Sequence, residues 1–205
     1  MIYLITDRKL FVSEEAFYVA LESALKGGIK MLQLREKDLP DRALLQMAIR
    51  VRELTSQYGA RLFINNRLDI ALCVKAEGIH LGQESIPLRA IKKLVGDNME
   101  IAVSTHSIEE ALGAQSEDAD FITFGPIFDT PSKMKYGKPL GIGLLQEAMK
   151  EIHIPIYAIG GIKTDNLREL TKIGSHNIAL ISGILGAYDV YSKTREYLSI
   201  LGEKV

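Results

Sequence analysis

Asp120–Lys133, DFITFGPIFDTPSK, is the stretch that decides how this chain is read. It opens as a β-like apolar run, breaks at a Gly-Pro turn and closes as a polar loop ending on Lys133. Two later stretches repeat its opening. Ile154–Ile162 (IPIYAIGGI) and Asn177–Ile184 (NIALISGI) are also apolar runs that end in glycine. A buried strand ending in glycine lets main-chain N–H groups approach a ligand closely, and a helix starting there adds a partly positive end. Three such endings, the first with a basic loop, predict a site for a small molecule bearing phosphate.

Outward from that stretch the same unit recurs. Ile2–Thr6 is a short apolar run closed by Thr6-Asp7, and Ser13–Lys26 follows with helical spacing, Ser13 as N-cap and Gly27-Gly28 as stop. Met31–Leu34 runs into Arg35, Glu36, Lys37 and Asp38, and Pro40 opens a helix carrying Leu44, Leu45, Ala48, Ile49 and Val51. Arg61–Ile64 ends at Asn65-Asn66 and leads to a short helix from Asp69. Gly78–Leu81 ends at Gly82-Gln83, before a helix over Pro87–Val95. Glu100–Val103 ends at Ser104, and Ser107 and Glu110 stand in capping-box spacing at the head of a helix to Ser116. After Phe121–Phe124 come a helix over Leu144–Glu151, a strand over Pro155–Ile159 and a helix over Asp165–Ile173. A strand over Ile178–Ile181 and a helix over Asp189–Leu201 complete the chain.

Eight strand candidates, each followed by a helix, argue for a parallel sheet with crossover helices. Eight units favour a single closed (β/α)8 barrel spanning residues 1–205, with an open doubly wound sheet as the alternative. No linker divides the chain. Asp129–Pro139 is the longest irregular piece, and its length with its Gly and Pro content is compatible with a lid, which the sequence leaves open.

Bulk properties exclude several classes. A formal net charge of −1 over 205 residues points away from nucleic acid and anionic membrane surfaces. No apolar run approaches the roughly 18–20 residues that span a bilayer, and no signal peptide is visible, so the expected setting is cytoplasmic. The single cysteine, Cys73, excludes an intramolecular disulfide, and its apolar surroundings (IALCV) predict a core position. An assembly of identical copies is left open.

In a barrel the active site lies at the C-terminal ends of the strands. Those ends carry Thr6-Asp7, Gln33 to Lys37, Asn65-Asn66, Gln83 to Ser85, Ser104 with His106, Thr130 to Lys133, Gly160-Gly161 and Ser182-Gly183. A charge cluster such as Arg35–Asp38 is ordinarily a solvated loop, but its place directly after a buried strand favours function. Gly160-Gly161 and Ser182-Gly183, on strands seven and eight, stand where barrels bind phosphate. His106 is a candidate acid or base or simply a helix start, and His80 (GIHLG) reads as a satisfied buried histidine. No set of His, Cys, Asp and Glu has strong metal-ligand spacing.

The ordered series YLITD, LQLREKD, NNRLDIAL, EGIHLGQES, VSTHSIEEA, FGPIFDTPSK, PLG, AIGGI and LISGI resembles the thiamin phosphate synthase family, which includes a thiazole tautomerase branch. The resemblance covers nearly the whole chain. It implies a (β/α)8 barrel that joins hydroxymethylpyrimidine diphosphate to a thiazole phosphate, with pyrophosphate leaving before the thiazole nitrogen captures the pyrimidine cation. Carried over to this sequence, it implies that Arg35, Lys37 and Lys133 hold the pyrophosphate with Asn65 and Ser104, and that Gln33 fixes the pyrimidine. Thr130 and Ser132 would bind the thiazole phosphate with the backbone at Gly161, Ile181 and Ser182.

Two positions depart from the family pattern. Asn66 and Ser85 stand where its synthases usually carry the aspartates that bind magnesium at the diphosphate, so Mg²⁺ binding is expected to be weakened. The tautomerase branch needs no metal, but it carries a catalytic histidine where this chain has Pro126. Three readings follow: a synthase with altered metal use, a thiazole phosphate tautomerase, or a barrel that binds thiamin precursors without turnover.

Overall fold

The strands are short and apolar because both of their faces are covered. Every residue of β1 (Ile2–Ile5), β2 (Met31–Leu34), β4 (Gly78–Leu81) and β6 (Phe121–Phe124) is buried, the pattern of parallel strands under crossover helices. The computed structural model describes residues 1–130 and 138–203. Among them β3 (Arg61–Asn65), β5 (Glu100–Thr105), β7 (Ile156–Ile159) and β8 (Ile178–Leu180) complete a closed barrel in the order β1 to β8. The strands pair in parallel, Tyr3 with Met31, Gln33 with Phe63, Ser104 with Thr123 and Ala158 with Ile178.

The chain divides into two compact units, residues 1–79 with 180–205, and residues 80–179; the cuts fall inside β4 and β8. The first unit contains α1 (Glu14–Lys26), α2 (Asp41–Gln57), α3 (Leu68–Cys73), α8 (Ser182–Leu185) and α9 (Val190–Ile200). Ser13 caps α1 by accepting the Ala16 N–H, and Asp189 caps α9 by accepting that of Ser192. Tyr3 meets Phe63 edge-on in its core. The second unit contains α4 (Leu88–Val95), α5 (Ile108–Ser116), α6 (Gly141–Glu151) and α7 (Leu167–Lys172), and its core packs Phe121 against Tyr157.

Several expectations need correction. The buried face of α2 is Leu44, Met47, Ala48, Val51 and Thr55, whereas Ile49 is 47% exposed. At about 100° per residue the inward stripe steps from Leu44 to Met47 and Ala48, and Ile49 falls beyond it. Cys73 is exposed, because α3 turns Ile70 and Ala71 inward and leaves the cysteine off that face. β5 continues through Ser104 and Thr105, so Ser104 is a strand residue. α6 begins at Gly141 and not at Leu144, and the four-residue α8 directly after β8 had no periodicity long enough to reveal it. Ser132, Lys133 and most of the candidate lid lie outside the described residues. None of the described helices is long and apolar enough to cross a membrane.

Candidate active site

In the first unit the end of β2 is braced by the end of β1. The Thr6 N–H donates to the Gln33 carbonyl at 2.9 Å, and the Thr6 hydroxyl oxygen accepts the Arg35 N–H at 2.9 Å. That hydroxyl donates in turn to Glu36 Oε1 at 2.6 Å, and the Arg8 N–H approaches both Glu36 oxygens at 3.1 and 3.2 Å. Asp38 takes Arg8 Nη2 at 2.7 Å and Lys9 Nζ at 3.2 Å. The two acids of the Arg35–Asp38 cluster therefore turn to the β1 loop. Among the described residues no carboxylate pairs with Arg35, a residue of intermediate exposure, and Lys37 is exposed. Burial raises the Glu36 carboxyl above the ordinary glutamate range, against the lowering effect of the Thr6 and Arg8 hydrogen bonds.

Gln33 is 1% exposed, and its Nε2 has no acceptor among the described residues. A buried amide donor without a partner costs stability. At the end of β3, Asn65 is half-buried and Asn66 takes a left-handed backbone, φ 62°, which asparagine tolerates better than most residues. Arg67 next to them is committed elsewhere: it forks onto Asp69 at 2.9 and 2.6 Å and reaches Asp41 at 2.6 Å. The Asp69 hydrogen bonds, with those of Asp41, hold its guanidinium firmly charged. At the end of β8, Ile181 precedes α8, whose opening N–H groups at Ser182 and Gly183 have no intrahelical acceptor.

The second unit gathers a polar group around β5. His80, 2% exposed on β4, places Nε2 at 2.8 Å from Ser104 Oγ, and Thr123 Oγ1 lies 3.5 Å from the same hydroxyl. Gln83 donates to the Ser104 carbonyl at 2.5 Å, and Ser85 Oγ accepts the Gly82 N–H at 2.7 Å. His106 is held by Glu110, which accepts its N–H at 2.7 Å and lies 3.3 Å from Nδ1. The expected capping box is half met. Ser107 accepts the Glu110 N–H, but the Glu110 carboxylate reaches past the cap residue to His106.

The turns after β6 and β7 are zipped together. Ile127 and Phe128 donate to the carbonyls of Ile159 and Gly160 at 2.9 and 3.0 Å. Leu140 and Gly141 donate back to Pro126 and Ile127 at 2.7 and 3.1 Å, so both ends of the polar loop are anchored on β7 and its own turn. Gly160 (φ +100°) and Gly161 (φ +64°) make this possible. A Cβ on Gly160 would stand 2.5 Å from Pro126 Cβ, and one on Gly161 would stand 2.5 Å from the Asp129 carbonyl. Thr130 is half-buried at the last described position of the loop.

The structure thus places Gln33, Arg35, Lys37, Asn65, Asn66, Ile181 and Ser182 at strand ends of the first unit, and Ser85, Ser104, Thr130 and Gly161 at those of the second. The sequence placed Thr6 and Glu36 at the strand-end rim without showing that they bond to one another, and its reading of His80 as a satisfied buried histidine holds, with Ser104 as the partner.

The family model for thiamine monophosphate synthase matches residues 2–184. A Geobacter sulfurreducens protein provisionally named thiamine-phosphate synthase is 47% identical over 98% of this chain and 93% of its own length. The thiamine-phosphate synthase of Shouchella clausii is 38% identical over 98% of this chain and 96% of its own. The solved thiamine phosphate pyrophosphorylase of Pyrococcus furiosus superposes with a TM-score of 0.89 at 37% identity, covering 98% of this chain and 95% of that one. With these geometries and this full-length similarity, the chain belongs to the thiamine monophosphate synthase family.

Proposed function

We propose that the protein is a thiamine-phosphate synthase, a transferase that couples hydroxymethylpyrimidine diphosphate to a thiazole phosphate and releases pyrophosphate. The observation that carries the reading is the sorting of Arg35–Asp38: both acids turn to the β1 loop, while Arg35 has no carboxylate partner among the described residues. A cation held this way at a strand tip suits a departing diphosphate, whose negative charge grows as the C–O bond breaks. Arg35 and Lys37 take that charge, with Lys133 from the polar loop by its place in the sequence. Asn65 and Ser104 supply neutral hydrogen bonds to the same group, and His80 orients the Ser104 hydroxyl. Gln33 Nε2 donates to the pyrimidine, which keeps the ring placed while it carries positive charge. The thiazole phosphate rests on Thr130, Ser132 and the main-chain N–H groups at Gly161, Ile181 and Ser182, and its ring nitrogen then closes the new C–N bond.

Magnesium, which the family implies, is held less well by the residues present, with Glu84 the one carboxylate beside the two departed positions. Asn66 and Ser85 are neutral, and Ser85 Oγ already accepts the Gly82 N–H. Among the described residues no three His, Cys, Asp or Glu side chains form a group able to hold a cation. Mg²⁺ at a diphosphate usually takes one or two protein carboxylates. Neutralisation of the leaving group therefore rests on the basic side chains to a greater degree than a carboxylate-bound metal would require.

The test supplies purified protein with both phosphorylated precursors, with and without Mg²⁺, and separately with the thiazole tautomer alone. Mass spectrometry should find thiamine phosphate and pyrophosphate in equal amounts. Isomerisation of the thiazole without coupling would assign the tautomerase reaction instead, and saturable binding without turnover would leave a precursor-binding barrel.

A further inference from the structure

Thr6 and Glu36 are fully buried polar residues in a loop where the family reading assigns them no part. Thr6 is 0% and Glu36 4% exposed. A carboxylate is expensive to bury, and a packing role alone would be filled as well by an apolar side chain of similar size. What these two groups do is visible in their partners. Thr6 holds Gln33 through its main-chain N–H and Arg35 through its hydroxyl oxygen. Glu36 fixes the direction of that hydroxyl by accepting its proton at 2.6 Å, so the oxygen lone pairs face the Arg35 N–H. The Arg8 N–H anchors Glu36 from the other side. Asp38 meanwhile occupies the side chains of Arg8 and Lys9.

We propose that Thr6 and Glu36 are positioning residues for the diphosphate grip: a relay from the end of β1 sets the main chain at Arg35 and thereby aims its guanidinium. The proposal rests on the assignment of Arg35 to the diphosphate made above. It predicts a defect confined to one substrate. Loss of the relay lets the Arg35 backbone relax, which weakens recognition of the diphosphate and leaves the thiazole phosphate, held elsewhere, unaffected.

Thr6→Val keeps the side-chain shape and removes the hydroxyl, whereas Thr6→Ser keeps the hydroxyl. Calorimetry with inorganic pyrophosphate and steady-state kinetics on both substrates, each beside a thermal melt, compare these variants with the wild type. Thr6→Val should weaken pyrophosphate binding and raise KM for the diphosphate about tenfold, the effect expected from one mis-set charged contact. KM for the thiazole phosphate should stay within about twofold, and Thr6→Ser should restore the wild-type values. Should Thr6→Val fold poorly, Glu36→Leu breaks the relay from its other end and should show the same selectivity, with Glu36→Gln as the conservative rescue. Unchanged pyrophosphate affinity in the hydroxyl-less or carboxyl-less variants overturns the proposal, and so does an equal loss for both substrates that tracks the melting temperature. A wild-type protein that does not bind pyrophosphate overturns the assignment of Arg35 first, and this inference with it.

Discussion

Gln33→Met separates stability from recognition at a single atom. Gln33 Nε2 is buried without an acceptor among the described residues, in a side chain 1% exposed on a strand covered on both faces. An unsatisfied buried donor costs about 1–3 kcal/mol, and methionine fills a similar unbranched volume without the polar group. The ligand-free variant should therefore be more stable. Taking the lower figure of about 1 kcal/mol, a chain of this size should gain roughly 2–4 °C in Tm. The same substitution removes the hydrogen bond that the pyrimidine would receive. A loss of about 1.4 kcal/mol corresponds to a tenfold rise in KM for the pyrimidine diphosphate, with KM for the thiazole phosphate unchanged. Differential scanning fluorimetry without ligand and initial-rate kinetics with each substrate varied in turn read the two effects separately. A Gln33→Met protein that melts lower than wild type and keeps its KM would refute the reasoning, because the amide would then be a structural group with satisfied partners.

Restoring carboxylates at the family's metal positions, Asn66→Asp with Ser85→Asp, should make turnover respond to Mg²⁺ at lower concentration. The backbone at φ 62° accepts aspartate about as readily as asparagine, so a magnesium titration of the rate reads the added charge and not misfolding. Glu36 gives a pH prediction. Its raised pKa means that the folded chain binds the proton more tightly than the unfolded chain, so its contribution to stability is full below the ordinary glutamate range and is lost as pH rises through the raised value. Glu36→Gln should consequently gain on the wild type in Tm as pH increases across that window, and a gap that narrows instead would count against burial as the dominant cause. Gly160→Ala combines backbone strain at φ +100° with a clash on Pro126 and should cost about 2–4 kcal/mol in urea unfolding. Gly59→Ala, at φ +58° with open space around the added carbon, should carry only the strain of about 1–2 kcal/mol.

The fold was legible because strand and helix signals were strong and local. Met31–Leu34, Gly78–Leu81 and Phe121–Phe124 are short, mainly apolar runs ended by polar or glycine residues, each with one polar side chain (Gln33, His80, Thr123), and Ser13 and Ser107 announce helices through side-chain caps. What failed was finer than an element. Met47 rather than Ile49 faces inward, and Cys73 faces out, because apolar composition names a helix but not which of its residues meet the core. At the site, residue types marked the strand tips, but partner choice did not follow from them. Glu36 and Asp38 alternate with Arg35 and Lys37, and only the fold shows that the acids meet Arg8 and Lys9, some 28 to 30 positions earlier in the chain. Arg67 illustrates the converse. It looks available beside Asn65-Asn66, yet Asp41 and Asp69 already claim it.

The central claim is that the strand tips around Arg35 receive a diphosphate. A crystal structure of the protein grown with pyrophosphate addresses it most directly. The account predicts phosphoryl oxygens within hydrogen-bonding distance of the Arg35 guanidinium. Pyrophosphate seated away from that side chain, with Arg35 turned to solvent, would contradict it.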